Sequence, residues 1–164
     1  FEGAHRPGHF DGVLTVVNRL FELVNPTSAV FGKKDAQQLY LVKEFFANKS
    51  NNLKIIEAEI IRDEYGLAMS SRNRLLSKSG INIARNIFQI LENTKEHFIQ
   101  NQDIQQSEDF GKKLFNENAI EYDYLNFVDP KYFETPDSNR EKLLLITAAY
   151  VQGIRLIDNM EVIQ

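Results

Sequence analysis

At 164 residues and 43% hydrophobic content, the chain is long enough for one full domain, or for one small domain with a piece of another. Its 19 basic and 23 acidic side chains make it mildly acidic, without the basic stripe that a polyanion-binding surface requires, so nucleic acid is excluded as an expected partner. No apolar run approaches the roughly 20 residues that cross a bilayer, no charged-then-apolar leader opens the chain, and the lack of cysteine removes disulfides and thiolate chemistry, so the expectation is a cytoplasmic protein with no membrane partner.

The chain opens on Phe1-Glu2-Gly3, without Met and directly before a patterned segment, which reads as a start inside a longer protein. After Arg6-Pro7-Gly8, apolar residues at Phe10, Val13, Leu14, Val17, Leu20, Phe21 and Val24 follow the spacing of a helix with one buried face. Asn25-Pro26 should end it. Ala29-Val30-Phe31, stopped by Gly32, reads as a short buried parallel strand. Asp35 is suited to cap a second helix, in which Leu39, Val42 and Phe46 recur on one face as far as about Asn48. A second strand is expected from about Leu53 to Ile61. Helix, strand, helix, strand is the grammar of a doubly wound, Rossmann-like α/β layer. Two strands leave most of each face without a partner, so the remaining strands are expected upstream.

Residues Asp63 to Arg74 break both periodicities and read as a loop. Beyond it, helical stretches from about Ser79 to Ile99 and Ile104 to Asn116 precede strand-like runs near Ile120–Val128, Leu143–Tyr150 and Gly153–Ile157. Helices first and strands later suggest a small α+β domain. The division is therefore 1–65 for the partial parallel layer, 66–76 for a serine-rich loop and linker, and 77–164 for the α+β domain, with the boundary near Asn73 to Ser77.

The first constellation with chemistry is Phe31-Gly32-Lys33-Lys34-Asp35, at the carboxyl end of a strand and the start of a helix. Open α/β sheets bind ligands at that edge, where backbone N–H groups point outward and the helix dipole favours negative charge. Gly32 permits close approach to the backbone, Lys34 can meet phosphate oxygens, and Asp35 can accept from ribose hydroxyls or simply cap the helix. An ordinary strand-to-helix turn uses the same residue types. The second constellation is Gly66-Leu67-Ala68-Met69-Ser70-Ser71-Arg72-Asn73, whose hydroxyls, guanidinium and loop amides suit a polyphosphate and a leaving pyrophosphate. It also reads as an interdomain linker. One of Gln37 and Gln38 should point back to the sheet edge, where it could hold a small hydroxy acid, and Arg6 could do similar work. His5, His9 and His97 lie at no metal-ligand spacing, so no metal is assigned to protein side chains. Phe21, Phe45, Phe46, Phe88 and Phe98 read as core or interface residues, and the charged run Glu92 to Glu96 as a solvated helix face.

Taken in order, Glu2-Gly3-Ala4, Arg6-Pro7-Gly8-His9-Phe10, Gly12-Val13, Phe31-Gly32, Lys34-Asp35, Gln37-Gln38-Leu39 and Gly66 to Asn73 resemble the pantoate–β-alanine ligase family, in spacing as well as identity. Tyr124-Leu125, Val128-Asp129-Pro130 and Arg155 to Asn159 are similar to that family's C-terminal domain, so the resemblance spans essentially the whole chain. It implies a nucleotidyltransferase-type parallel sheet carrying ATP and pantoate, and the ATP-dependent condensation of pantoate with β-alanine through pantoyl adenylate, with Mg²⁺ on the phosphates. It implies ATP contacts at Gly32, Lys33, Lys34, Asp35, Ile61 (through its backbone, to adenine), Met69, Ser70, Ser71 and Arg72. Among these Lys34, Ser70, Ser71 and Arg72 would carry catalysis, with Gln38 and Arg6 on pantoate. Lys33 stands where the family usually has Glu, for which tuning rather than loss is expected. The family's His-x-Gly-His motif and its second pantoate-binding glutamine do not occur in these residues, so this chain by itself is expected to be inactive or nearly so. A homodimer is implied for the intact enzyme. The rival reading is a non-catalytic nucleotide-binding or assembly module derived from the same fold. A third, another nucleotidyltransferase of the superfamily, leaves Gln38 and the Arg6 to Phe10 stretch unexplained.

Overall fold

The structure is a computed structural model that describes residues 1–47, 49, 53–136 and 142–163. It is an α/β protein with a parallel sheet and a separate antiparallel sheet, and it divides into two compact units, Phe1–Ile60 and Ile61–Gln164. Among the described residues no helix is long and apolar enough to cross a membrane.

The first unit contains α1 (Glu2–His5), α2 (His9–Val24), β1 (Ser28–Gly32), α3 (Ala36–Ala47) and β2 (Lys54–Ala58). The short α1 was not anticipated, because its four residues carry no apolar period to reveal it. Helix α2 begins after Gly8, whose φ of 74° is open to glycine, and stops at Asn25, which adopts the left-handed conformation before Pro26. Strands β1 and β2 pair in parallel from Ser28↔Lys54 to Gly32↔Ala58. Strand β2 is shorter than the expected Leu53 to Ile61, and the helix end expected at about Asn48 lies outside the described residues. The small core of this unit is Leu39, Val42 and Phe46 of α3, with Phe21 of α2 at 4.7 Å from the Phe46 ring.

Two expectations of burial fail here. Val30, at the centre of β1, is 64% exposed, and no residue of α2 is fully buried; Leu20 and Val24, assigned to its buried face, are 51% and 69% exposed. Periodicity reports which face of a helix is apolar, not what covers it, and a two-stranded sheet has too little surface to cover both.

The second unit runs through α4 (Lys78–Asn101), α5 (Ile104–Glu117) and the antiparallel sheet β3 (Glu121–Val128), β4 (Lys142–Val151) and β5 (Ile154–Ile163), in that spatial order. Helix α4 is capped by the Ser77 hydroxyl, which accepts from the Gly80 amide at 3.1 Å, and α5 by Asp103, which accepts from the Gln106 amide at 2.9 Å. Ala84, Ile87, Leu91, Thr94 and Phe98 form the buried stripe of α4 and meet Phe115, Leu125, Phe127, Leu145 and Val162 in one continuous core. The helices cross closely at Gly111, where an added methyl group would lie 2.3 Å from Thr94 Oγ1. Buried Glu108 fastens α5 to the edge of the sheet by accepting from the Phe127 amide and the Asn126 side chain, both at 2.9 Å. Strand β5 continues six residues past the expected end at Ile157, because Asp158 and Asn159 interrupt its apolar run without interrupting its pairing with β4.

Candidate active site

In the first unit the candidate residues gather at the carboxyl end of β1. The ladder continues one bond past Gly32, with the Lys33 amide donating to Ala58 O at 2.8 Å, and the chain then turns into α3, whose first carbonyl acceptor is Asp35 (Leu39 N at 2.9 Å). Asp35 therefore occupies the N-cap position. Gly32 is exposed, does not adopt the left-handed conformation, and has no heavy atom within 4 Å of where a Cβ would stand. Neither backbone conformation nor packing demands glycine there. What it leaves is bare backbone at a helix N-terminus, beside Lys34. Lys33 turns to the other strand end, its Nζ 2.6 Å from Glu59 Oε1, so its charge is met by a carboxylate of the chain itself.

The two glutamines differ in their hydrogen bonding. Gln37 Oε1 accepts from the Gly3 amide at 3.2 Å and ties α1 to the first turn of α3, whereas the Gln38 side chain has no hydrogen-bond partner among the described residues. Arg6 is engaged within its own segment, its Nη1 lying 3.3 Å from Oε1 of buried Glu2.

In the second unit, the first part of the Asp63 to Arg74 stretch read as loop is not irregular: with Ile61 and Arg62 it forms a tight hairpin over residues 61–69. Met69 N donates to Ile61 O at 2.8 Å, Asp63 N to Leu67 O at 2.9 Å, and Arg62 bridges Ala68 between them. The bend falls at Gly66, with φ of 90° and the Phe88 ring 2.0 Å from where a Cβ would stand, so both conformation and space require glycine. Ile61 and Met69, eight residues apart, thus become a hydrogen-bonded pair, and both side chains are exposed. Burial pushes the Asp63 carboxyl up, but the amides of Leu67 and Tyr65 and the Arg85 guanidinium together outweigh it and hold that group below the usual carboxylate range.

The serine segment follows as a 3₁₀ turn, Ser71–Leu75, within the stretch read as loop. Ser70 Oγ accepts from the Arg72 amide at 3.2 Å, which consumes one acceptor site and leaves its hydroxyl proton free to be donated. Ser71 is exposed. Arg72 Nη1 donates to Arg155 O on β5 at 2.8 Å, one of the five donors a guanidinium carries. Asn73 Nδ2 donates to Ala68 O at 3.1 Å, tying the turn back to the hairpin.

The partners of these residues were not legible in the sequence. Arg62 meets Asp158 across 96 positions and Arg72 meets Arg155 across 83, and no local pattern announces either pair. Among the described residues no group of three or more His, Cys, Asp or Glu side chains is placed to hold a metal ion.

The family model described as pantoate-beta-alanine ligase matches residues 1–161. Pantothenate synthetase of Cytophaga hutchinsonii is 40% identical over 99% of this chain and 59% of its own length, and that of Marinomonas sp. is 40% identical over 98% and 57%. The crystal structure of pantothenate synthetase from Thermus thermophilus superposes with a TM-score of 0.93 at 35% identity, covering 100% of this chain and 60% of that one. A Francisella tularensis pantoate-beta-alanine ligase complexed with beta-gamma ATP and beta-alanine gives 0.72 at 31% identity, covering 98% and 53%. The chain thus spans less than two thirds of the relatives it matches, and over that span the motif order, the fold and the family match agree: it belongs to the pantoate-beta-alanine ligase family.

Proposed function

We propose that this chain forms part of an ATP-dependent ligase that condenses pantoate with β-alanine to give pantothenate, AMP and pyrophosphate. The observation that carries the proposal is the bare, exposed Gly32 at the carboxyl end of β1, followed at the entry of α3 by Lys34, Asp35 and Gln38. Such an edge serves an anionic ligand that must lie against backbone amides. Lys34 meets phosphate, Asp35 faces the ribose, and Gly32 and Lys33 contribute backbone. Ile61 offers its backbone to adenine, and Met69, Ser70, Ser71 and Arg72 supply donors to the phosphates. Gln38, with Arg6, holds pantoate. The division into 1–65 for nucleotide and pantoate, 66–76 for the phosphate loop and 77–164 for a supporting α+β domain belongs to the same reading, as do a cytoplasmic location and a homodimer.

The chemistry asks little of a protein base. A pantoate carboxylate oxygen attacks the α-phosphorus; the new O–P bond forms as the bond to the β-phosphoryl oxygen breaks, and pyrophosphate leaves with that electron pair. The β-alanine nitrogen then attacks the acyl carbon, the C–N bond forms, AMP departs, and the amine proton is released. A carboxylate is already a nucleophile, so the first step needs positioning and charge stabilisation. Mg²⁺ accompanies the phosphates as part of the substrate, neutralising charge there.

The test is pyrophosphate and AMP release by the protein that carries this chain, supplied with Mg·ATP, pantoate and β-alanine. Pyrophosphate release dependent on pantoate but not on β-alanine is the expected signature of an adenylate intermediate. ATP binding without any pantoate-dependent release of pyrophosphate would leave a non-catalytic nucleotide-binding module of the same fold as the better description.

A further inference from the structure

We propose that Arg62 is a positioning residue for the nucleotide, setting the open end of the 61–69 hairpin through the buried carboxylate of Asp158; this rests on the ATP-dependent reading above. Four hydrogen bonds leave the Arg62 guanidinium. Nη1 reaches Asp158 Oδ2 at 2.7 Å and Gly66 O at 2.8 Å, and Nη2 reaches Asp158 Oδ1 at 2.9 Å and Asn159 O at 3.0 Å. The group also lies over the Phe88 ring, 4.6 Å from its centroid. A two-pronged pair with a carboxylate whose side chain is 4% exposed fixes both distance and plane, which a lysine in the same place does not reproduce.

What this fixture holds is specific. Arg62 is the bridge partner of Ala68, and the next pair outward on the hairpin is Ile61 and Met69, the residues assigned to adenine and to the start of the phosphate segment. The bond to Gly66 O grips the closed end of the hairpin, and the bonds to Asp158 and Asn159 fasten it to β5. Arg72 takes hold of the same strand at Arg155 O, by a single bond that one competing acceptor can replace. The segment therefore has a firm, two-pronged anchor to β5 at Arg62, a link to α4 where Arg85 meets Asp63, and a weak hold on β5 at Arg72. The firm anchor determines where the exposed Ile61–Met69 end stands when ATP arrives.

Arg62→Lys tests this in the protein that carries the chain, with KM and kcat measured for ATP and for β-alanine well below the unfolding temperature. The expected result is a KM for ATP raised about tenfold, since displacement of a binding element by about an ångström has effects of that order or larger, with the KM for β-alanine within about twofold of the parent. Asp158→Asn, which keeps the shape and one acceptor, should shift the same constant in the same direction, and it replaces Arg62→Lys if that variant does not fold. An unchanged KM for ATP in a folded variant, whatever its melting temperature, overturns the proposal by reducing Arg62 to a stabilising contact. An equal rise for both substrates overturns it as well, because it signals general loosening. If the parent protein releases no pyrophosphate from ATP, the ligase reading fails first and this inference falls with it.

Discussion

At the scale of single residues, the candidate site separates into groups already committed to the fold and groups that are not. Gln37 is committed to Gly3 and Lys33 to Glu59, whereas Arg6 gives Glu2 only one of its donors. Gln38 has no partner among the described residues, and Arg72 spends one donor of five. Gln38→Ala should therefore cost the fold little and raise the pantoate requirement well above the ATP requirement in steady-state kinetics; equal effects on both would remove the pantoate-specific role. Arg72→Ala should lower the rate of adenylation by about a hundredfold or more, the loss that follows removal of one well-aimed donor to transition-state charge, about 2.7–4 kcal/mol. Pyrophosphate release measured in single turnovers checks this. Near-normal turnover would leave Arg72 with only its bond to Arg155. The sequence offered these residues through the order of short motifs. Residue type alone did not separate Gln37 from Gln38, a choice that came from the family resemblance, because the Gln37 bond depends on where the Gly3 amide lies, 34 positions away.

At the scale of elements, legibility followed period and length. Helix α4 was readable because 24 residues carry a buried stripe between a Ser77 cap and a left-handed Gln102, whereas α1 has four residues and no stripe. The hairpin 61–69 was missed because its defining bonds run between backbone groups, and backbone groups leave no mark in residue type. Gly66 was the one available clue. Gly66→Ala should distort this element, since alanine resists the positive φ and its methyl group would meet the Phe88 ring; the expected loss exceeds about 1 kcal/mol in chemical denaturation. Asp63 gives the element a pH dependence. Its folded-state carboxyl titrates below the unfolded one, so its contribution is present above the ordinary carboxylate range and is lost as pH falls through the lowered value. Asn at this position keeps an acceptor for the Tyr65 and Leu67 amides but loses the charge that faces Arg85. The melting-temperature gap between parent and Asp63→Asn should accordingly be widest near neutral pH and close in acid. A gap independent of pH would show that the charge contributes nothing.

At the scale of the whole molecule, the α/β class was legible from the order of periods, since helix-strand-helix-strand followed by two helices and three strands admits few other arrangements. What the pattern could not reveal was how unevenly the apolar surface is used. Residues 61–164 close a core in which Ala84, Leu91, Phe115, Leu125, Leu145 and Ala149 are all inaccessible to solvent. Residues 1–60 leave Val16, Leu20, Leu23, Val24 and Val30 more than half exposed. The physical reason is the number of covering layers: two helices pack on a three-stranded sheet in the second unit, and a two-stranded sheet supports the first. This asymmetry predicts that residues 61–164 fold by themselves. Expressed alone, that segment should unfold in one cooperative transition, with a calorimetric enthalpy of about 60–80 kcal/mol, the value typical of roughly 100 residues sharing one core. Its most protected amides should lie in α4, β4 and β5. A broad, non-cooperative melt would mean that the continuous core of the second unit is not sufficient to hold it, and that the two units depend on each other for stability.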